Sequence, residues 1–350
     1  MNKDTKKRYL FFISQDYSFP ILRPLQQEIL RRGEDIKWFL YGDEINFDFL
    51  HADEEGLLDI QDVVDYNPDA VFVPGNVVPS FIPGLKVTTL HGLPSNKFTK
   101  GGQHYHFIIR GMFDLYCTYG PSCTQKFKEL AEEYGYFHVE ETGWPKLDPL
   151  FPLNNIKDTK TKAIFFASTF SPKYTKAKIL YPLLLEMMKK YDFDWYLTLH
   201  PKMDLETVKL YKSINLPNDK FVESTEVIEY FKKSDMMLCD TSSIISEYLT
   251  QLKPVVTFQT QKEEPFIINV QNINELENKI LSVLNKLDIN KKIIESSVKK
   301  FHPYYDGKSS ERVLNAVEKM LNGENLPPKK KPLNIIRNFK LRKELGYWKF

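Results

Sequence analysis

The part of the chain that is most informative about the fold is Ser234-Asp235-Met236-Met237-Leu238-Cys239-Asp240-Thr241-Ser242-Ser243. Its apolar run predicts a short buried strand, and the polar residues that follow predict a turn that begins a helix. Asp240 or Thr241 is a suitable N-cap, while Ser242 and Ser243 would present hydroxyl and backbone N–H groups at the helix start. Such groups at the start of a helix favour the binding of an anion. The stretch therefore predicts either a phosphate site at the end of a strand or an ordinary helix cap.

The first half of the chain alternates predicted strands with amphipathic helices, as parallel α/β sheets do. The predicted strands are 9–14, 36–41, 70–73, 86–90, 115–118 and 137–141, and the predicted helices are 22–32 and 123–134. After Pro145, Pro149 and Pro152, the polar stretch 154–162 predicts a linker between two domains.

A second series of the same kind follows the linker. Its predicted strands are 163–167, 195–199, 220–222, 236–239 and 255–258, and its predicted helices are 176–190, 205–213, 225–233, 244–252 and 273–287. Such alternation builds doubly wound parallel sheets with right-handed crossovers. We expect an N-terminal Rossmann-like domain at 1–152, a C-terminal one at 163–305 that faces it across a cleft, a closing helix at 306–326 and an appended segment at 327–350.

The composition is that of a globular protein. The 350 residues suffice for two cores, 42% are hydrophobic and 27% are charged. No apolar run approaches the roughly 20 residues that a membrane span requires, and residues 1–13 do not predict a signal peptide. Three cysteines with no CxxC pair do not predict disulfides or structural zinc. We expect a protein at the cytoplasmic face, without metal or cofactor.

Positive charge is concentrated at the C-terminus. Residues 327–350 carry eight basic residues and one acidic residue, a net charge of +7, which leaves −5 for the rest of a chain whose total is +2. The net negative charge of the chain outside this segment disfavours binding to nucleic acid. Aromatic and aliphatic residues are interleaved with the basic ones, so the segment predicts peripheral association with an anionic membrane surface, a solvated tail or a helix packed on the body.

Polar residues follow most of the predicted strands, at the sheet edge where ligands of open parallel sheets bind. They are His91-Gly92 with Lys97, Thr142 to Asp148, Ser168-Thr169, His200-Pro201-Lys202 and Asp240 to Ser243. The chain has no G-x-G-x-x-G after its first strand, no P-loop and no G-x-S-x-G elbow, which argues against dinucleotide redox, P-loop and α/β-hydrolase chemistry. Histidine as a proton acceptor, with lysine and hydroxyl groups around it, instead indicates a transferase that uses an activated phosphate donor.

The ordered motifs resemble those of the CDP-glycerol glycerophosphotransferase family of teichoic-acid and capsule enzymes. The resemblance rests on His91-Gly92, Gly143-Trp144-Pro145-Lys146-Leu147-Asp148, Leu199-His200-Pro201, Ser234-Asp235, Asp240 to Ser243, Glu247, Lys253-Pro254 and Asp306 to Arg312. It covers about residues 88–312. It implies a GT-B architecture of two Rossmann-like domains, an N-terminal acceptor domain and a C-terminal domain that mainly holds the nucleotide donor. It also implies transfer of glycerol phosphate from CDP-glycerol to a hydroxyl of a lipid-linked or growing surface polymer, with release of CMP.

The resemblance also implies roles for individual residues. His91 would be the general base and His200 a second histidine on the donor phosphates. The donor would be bound by Gly92, Lys146, Ser168, Thr169, Asp240, Ser242, Ser243 and Glu247, with Lys97 and Lys202 as further phosphate contacts.

Three alternatives stay open. Ser168 stands where the family usually has a proline and Glu247 where aspartate is common, so CDP-ribitol is a second candidate donor. The run His302 to Arg312 also resembles the end of non-hydrolysing UDP-GlcNAc 2-epimerases, which share the GT-B architecture. The second alternative is therefore an enzyme of that kind or another GT-B glycosyltransferase that uses a nucleotide-sugar donor. The third alternative is a catalytically silent module that binds a nucleotide or a phosphate polymer.

Overall fold

The computed structural model describes residues 6–93, 102, 104–153, 161–260, 264–285 and 291–349. The chain forms two compact units. Unit 1 comprises Met1–Asp148 and Phe301–Phe350, and unit 2 comprises Pro149–Lys300.

Unit 1 contains a six-stranded parallel sheet. Its strands and helices are β1 (Arg8–Ile13), α1 (Ser18–Arg31), β2 (Asp35–Leu40), α2 (Ile60–Tyr66), β3 (Ala70–Phe72), β4 (Leu85–Thr88), β5 (Leu115–Thr118), α3 (Pro121–Tyr134) and β6 (His138–Glu141). The strand order is β2-β1-β3-β4-β5-β6. Central β1 is apolar on both faces, with Tyr9, Leu10 and Phe11 fully buried, because helices cover both faces of such a sheet.

Unit 2 repeats this organisation. Its elements are β7 (Lys162–Ser168), α4 (Ala177–Lys190), β8 (Phe193–Leu199), α5 (Leu205–Lys212), β9 (Asp219–Phe221), α6 (Val227–Lys233), β10 (Met236–Cys239), α7 (Ile244–Leu249), β11 (Val255–Phe258), β12 (Ile268–Val270), α8 (Ile273–Leu284) and α9 (Lys291–Phe301). The sheet order is β12-β11-β10-β7-β8-β9, with parallel pairing throughout. Strand β10, from the stretch quoted first, lies between β11 and β7 with all four residues buried.

After unit 2 the chain returns to unit 1 and forms α10 (Ser309–Leu321). The buried face of α10, which includes Val313, Leu314 and Val317, joins the same core as α1 and β1. The closing helix therefore completes the core of unit 1.

The last helix, α11 (Ile335–Glu344), belongs to the basic segment 327–350 and packs on unit 1. The Lys331 ammonium lies 2.6 Å from the Asp114 carboxylate, and the Tyr347 ring stacks on Phe81 at 4.5 Å between centroids. Leu341 is buried at 5% exposure. Within the part of the chain that the structure describes, no helix combines the length and the apolar character needed to cross a membrane.

Candidate active site

His91 lies just beyond the carboxyl end of β4 and is exposed. The residue before it, Leu90, has a left-handed backbone (φ 58°), which is costly for a branched side chain and turns the chain sharply out of the strand. The Nδ1 atom of His91 lies 3.2 Å from the Pro74 carbonyl oxygen. A carbonyl can only accept, so Nδ1 carries the proton and the neutral imidazole has its basic lone pair at Nε2. His91 thus has the tautomer that a proton acceptor at Nε2 needs.

A buried chain of polar groups supports the neighbouring Gly92. The Tyr119 hydroxyl donates to the Gly92 carbonyl at 2.6 Å and also lies 2.6 Å from Nε2 of His106. Because the Tyr119 hydrogen is used by Gly92, His106 donates from Nε2 to the Tyr119 oxygen. Burial lowers the pKa of His106 to about 3, with the charges of His91 and His104 adding to the effect, so this chain stays neutral near pH 7. Tyr119 directly follows β5, and the strand-end rule that selected His91 could have found it.

The motif from Gly143 to Asp148 is built into the core of unit 1. Both carboxylate oxygens of Asp148 accept backbone N–H groups at the start of α10, from Ser309 at 2.8 Å and from Ser310 at 2.7 Å. Gly143 has φ 80°, and a Cβ there would lie 2.4 Å from Oγ of Ser309, so only glycine fits. Two segments that lie far apart in the sequence, Gly143–Asp148 and the start of α10, are therefore in direct contact.

Lys146 is 8% exposed, and its ammonium lies 5.3 Å from the centre of the Trp144 ring. The backbone N–H of Trp144 in turn donates to Nε2 of the buried His302 at 3.2 Å. Burial lowers the pKa of His302 to about 4, which keeps it neutral and able to accept this bond. Lys146 is therefore positioned by the core packing of unit 1.

In unit 2 the carboxylate of Asp240 is fully buried at the end of β10. It accepts the hydroxyl of Ser168 and the backbone N–H groups of Thr169 at 2.9 Å and Lys176 at 3.0 Å. Burial raises the pKa of Asp240, and these hydrogen bonds act against that shift. The Asp240 side chain thus fixes the loop that follows β7, including Ser168 and Thr169. A further hydroxyl, that of Thr175, lies 3.1 Å from Oγ of Ser168.

His200 directly follows β8, which pairs with β7 in the same sheet. Its backbone N–H donates to the Ser168 carbonyl at 3.1 Å, and its ring lies 4.3 Å from that of Phe170. Its Nδ1 accepts the backbone N–H of Lys202 at 3.1 Å, so the proton of the neutral ring is on Nε2. His200 therefore presents a donor where His91 presents an acceptor.

The turn after β10 leads into the six-residue helix α7. Ser242 is half-buried, Ser243 is exposed, and Glu247 is buried at 8% exposure on α7. The turn is held by Thr241, whose hydroxyl lies 3.2 Å from that of Thr260. The backbone N–H of Thr260 in turn donates to Oδ1 of Asn269, a residue of β12, at 3.1 Å. Sequence reasoning missed Thr260 and Asn269 because β12 was not predicted.

The sequence-predicted site residues thus lie in two groups. His91, Gly92 and Lys146 belong to unit 1, and Ser168, Thr169, His200, Lys202, Asp240, Ser242, Ser243 and Glu247 belong to unit 2. Lys97 lies outside the described residues. Among the residues that the structure describes, no cluster of three His, Cys, Asp or Glu side chains has the arrangement of a metal site. Cys117, Cys123 and Cys239 are buried thiols.

Comparison with solved structures establishes the type of fold. The wall teichoic acid polymerase TagF superposes with a TM-score of 0.63 at 15% identity, covering 92% of this chain and 91% of that chain. A putative UDP-N-acetylglucosamine 2-epimerase from Listeria monocytogenes gives a TM-score of 0.60 at 14% identity, covering 94% of this chain and all of the other. The S. aureus MnaA–UDP structure superposes with a TM-score of 0.59 at 13% identity, covering 93% of this chain and 100% of that chain. The GT-B type of fold predicted from the sequence is confirmed.

A search of curated protein sequences gave no match. The family model described as CDP-glycerol:poly(glycerophosphate) glycerophosphotransferase matches residues 122–319, more than half of the chain. That range contains the Gly143–Asp148 motif, His200, Asp240 to Ser243 and most of α10. The chain is therefore a transferase that belongs to the CDP-glycerol:poly(glycerophosphate) glycerophosphotransferase family.

Proposed function

We propose that the protein transfers glycerol phosphate from CDP-glycerol to a hydroxyl group of a lipid-linked or growing cell-surface polymer, with release of CMP. The acceptor oxygen attacks the phosphorus that carries glycerol, the bond from that phosphorus to the bridging oxygen breaks, and CMP leaves with the bridging oxygen. The acceptor proton passes to Nε2 of His91. The observation that carries this assignment is the pair of opposite tautomers, an acceptor at His91 and a donor at His200.

Unit 2 is proposed to hold the donor. Nε2–H of His200 donates to a phosphate oxygen, and the hydroxyl groups of Ser242 and Ser243 bind the diphosphate. Ser168 and Thr169 line the donor pocket, Asp240 positions them, and Glu247 contacts the nucleotide. Lys146, Lys202 and Lys97 are proposed as further phosphate contacts, and Gly92 as a backbone contact to the donor. Charged and neutral hydrogen-bond donors of this kind stabilise the charge that develops on the phosphate of the leaving CMP.

The direct test is CMP release by the purified protein from CDP-glycerol, with a lipid-linked polymer extract as acceptor and CDP-ribitol in parallel. We expect CMP release from CDP-glycerol. Release from CDP-ribitol alone would reassign the donor. UDP-GlcNAc is the third substrate tested, because a putative UDP-N-acetylglucosamine 2-epimerase has a similar fold. Epimerisation without CMP release would contradict the proposed reaction.

Tyr119→Phe should lower kcat by about tenfold, because one hydrogen bond to Gly92 is lost next to His91 and a loss of roughly 1.4 kcal/mol corresponds to that factor. Tyr119 acts as a positioning residue, so the KM for CDP-glycerol should change by less than threefold. Tyr134→Phe, on the half-buried face of α3, is the matched control. Thermal unfolding followed by circular dichroism separates an effect on the geometry of the site from an effect on stability. A lower melting temperature with unchanged kcat would show that Tyr119 only stabilises unit 1.

We further propose that residues 327–350 bring the enzyme to an anionic membrane surface. Helix α11 buries Leu341 against unit 1, whereas Leu333 (79% exposed), Ile335 (71%), Ile336 (75%) and Phe339 (57%) remain accessible. On a helix of 3.6 residues per turn, Ile335, Ile336 and Phe339 share the face opposite Leu341. Exposed apolar side chains surrounded by lysine and arginine suit the interface of an anionic bilayer.

Replacing Ile335, Ile336 and Phe339 together by serine should weaken binding to phosphatidylglycerol vesicles about tenfold or more, since each apolar side chain contributes on the order of 1 kcal/mol even when partly inserted. Vesicle sedimentation measures the affinity of each variant for the vesicles. The control replaces three exposed apolar residues elsewhere, Leu58, Ile179 and Leu205. These serine variants keep the contacts of Lys331, Leu341 and Tyr347, whereas deleting 327–350 would remove them. Equal vesicle binding by both triple variants would contradict the membrane assignment.

A further inference from the structure

The basic segment 327–350 and the body of unit 1 enclose an open cavity of about 400 Å³. Asp114, which directly precedes β5, and Tyr136, which lies shortly before β6, line it from the body. The cavity is therefore at the amino ends of these parallel strands, at the end of the sheet opposite His91. Its volume corresponds to roughly 13 water molecules, which is room for a phosphate group and the polar part attached to it.

The wall that the basic segment contributes is fixed to the body. The backbone N–H of Lys329 donates to the Gly135 carbonyl at 2.9 Å, and the side-chain amide of Asn334 donates to the Gly111 carbonyl at 2.8 Å. Gly111 has φ 70°, and a Cβ there would lie 2.5 Å from Cγ of Pro332, so the two backbones approach as closely as glycine permits. The cavity is thus a preformed part of the fold.

The lining carries an excess of positive charge. Lys329, Lys330 and Lys331 line the cavity, and Asp114 is the acidic residue of the lining. The ammonium of Lys331 neutralises the Asp114 carboxylate at 2.6 Å. In the part of the chain that the structure describes, Lys329 and Lys330 form no ion pair with a carboxylate. Two lysine charges at the cavity are therefore not compensated.

Two arginines increase this charge. Arg110 directly precedes the lining residue Gly111, and the guanidinium of Arg337 lies 3.1 Å from Oδ1 of Asn334, another lining residue. Burial lowers the pKa of Arg110, and the nearby positive charge of Arg337 lowers it further. Neither arginine is ion-paired with a carboxylate among the described residues. Like charges held this close repel each other, and a bound anion relieves that repulsion.

The cavity also has neutral hydrogen-bond donors. The hydroxyl groups of Ser80 and Tyr136 have no hydrogen-bond partner within the described ranges of the chain. Burial raises the pKa of Tyr136, with the charge of Tyr134 adding to the effect, so the phenol keeps its proton at neutral pH. Ammonium and hydroxyl groups both donate, and the charged oxygen atoms of a phosphate group only accept. The lining therefore has the donors that a phosphate group requires.

An apolar surface adjoins this charged cavity. Leu333 lines the cavity and is 79% exposed, and Ile335 and Ile336 follow it as exposed residues of α11. A glycerophospholipid has the same arrangement, with an anionic phosphate group next to apolar chains. Free phosphate has no apolar part that these side chains could contact. The neighbourhood of Leu333 thus favours a lipid as the source of the phosphate group.

We propose that this cavity binds the phosphate group of one anionic glycerophospholipid, with Lys329 and Lys330 at the phosphate and Leu333 beside the apolar part of the lipid. The inference rests on the proposed membrane association of residues 327–350 and does not depend on the reaction. It goes beyond that association, because attraction to an anionic surface has no fixed stoichiometry, whereas a cavity takes one headgroup for each protein chain.

Two double variants separate a site from a diffuse attraction. The first changes Lys329 and Lys330 of the lining to glutamine. The control changes Lys340 and Lys343 to glutamine, which are exposed residues of the same segment outside the lining. Each pair lowers the net charge of residues 327–350 by two, from +7 to +5. A diffuse attraction predicts equal losses of affinity in both variants, whereas the proposed site predicts a larger loss in the lining variant.

The probe is dihexanoyl phosphatidylglycerol below its critical micelle concentration, so the lipid is monomeric and no membrane surface is present. Calorimetry near physiological salt should show one lipid bound for each wild-type chain. Its affinity should be about tenfold or more above that of inorganic phosphate, which has no apolar part, and of dihexanoyl phosphatidylcholine, whose cationic group meets the lysines. The lining variant should lose about tenfold or more of the affinity for the probe, and the control should stay within about threefold of the wild type.

A conservative pair of variants protects the test against misfolding. Tyr136→Phe removes one lining hydroxyl and should weaken binding of the probe severalfold, whereas Tyr134→Phe, outside the lining, should not. Circular dichroism verifies that all variants are folded.

The outcomes distinguish the site from the membrane association on which it rests. Equal losses in the two double variants would overturn the site, and so would inorganic phosphate that binds as tightly as the lipid. Vesicle binding without binding of the monomeric lipid would leave the membrane association standing and overturn the cavity assignment. Binding of one monomeric lipid by a protein that does not sediment with vesicles would support the site and contradict the membrane association.

Discussion

His91→Ala should lower kcat for CMP release from CDP-glycerol by about a hundredfold or more, the usual loss when a general base is removed. The alanine variant removes the Nε2 lone pair that the hydrogen bond from Nδ1 to Pro74 keeps available for a proton. The control is His51→Ala, which removes an exposed histidine from unit 1. Initial rates at saturating donor and acceptor give kcat, and circular dichroism verifies that both variants are folded.

Glutamine variants sharpen this prediction, because a glutamine amide can donate a hydrogen bond but cannot take up a proton near neutral pH. His91→Gln should therefore be as inactive as His91→Ala. His200→Gln should retain at least tenfold more activity than His200→Ala, because the glutamine NH₂ replaces Nε2–H. Imidazole added to His91→Ala should restore part of the rate, since it supplies the missing base. Activity of His91→Ala within threefold of the wild type would contradict the role of His91.

The arrangement of central strands could be predicted from the sequence because these strands are buried on both faces. Strands β5, β10 and β11 have the predicted bounds, Leu115–Thr118, Met236–Cys239 and Val255–Phe258, since their apolar runs end sharply at polar residues. Helix α1 begins at Ser18 and not at Leu22, because Pro20 lies among the first positions of the helix, where a missing N–H costs little. Short edge elements such as α2 and β12 were missed, since neither has a long apolar face.

The sequence also located polar residues at strand ends, but it could not tell which ones point to a ligand and which hold the backbone. Asp240 directly follows β10 and Asp148 lies in the segment after β6, as His91 lies in the segment after β4. The carboxylates of Asp148 and Asp240 nevertheless accept N–H groups of their own unit. That difference depends on where the loops fold back, and spacing along the chain does not encode it. Tyr119 directly follows a predicted strand and could have been selected in the same way, whereas its partner His106 became visible only through tertiary contacts.

Asp240→Ala is expected to destabilise unit 2 more than any other single change at its sheet edge. The alanine leaves three donors without an acceptor in a buried place: the hydroxyl of Ser168 and the N–H groups of Thr169 and Lys176. Each unpaired buried donor costs about 1–3 kcal/mol, so the loss should reach roughly 3 kcal/mol. For a unit of this size that lowers the melting temperature by about 6–12 °C, measurable by calorimetry.

Asp235→Ala provides the matched control, because Asp235 directly precedes β10 and its carboxylate accepts the backbone N–H of Ala163 at 2.8 Å. It should cost about 1 kcal/mol and leave the KM for CDP-glycerol unchanged, since the carboxylate lies at the amino end of the strands. Asp240→Ala should raise that KM tenfold or more as Ser168 and Thr169 lose their fixed position. The melting temperature and the donor KM of Asp240→Asn should lie between those of Asp240→Ala and Asp235→Ala. The amide oxygen of the asparagine still accepts one N–H group, whereas its NH₂ group faces the N–H of Lys176 or Thr169. Similar melting temperatures and donor KM values for Asp240→Ala and Asp235→Ala would show that the loop after β7 holds its shape without Asp240.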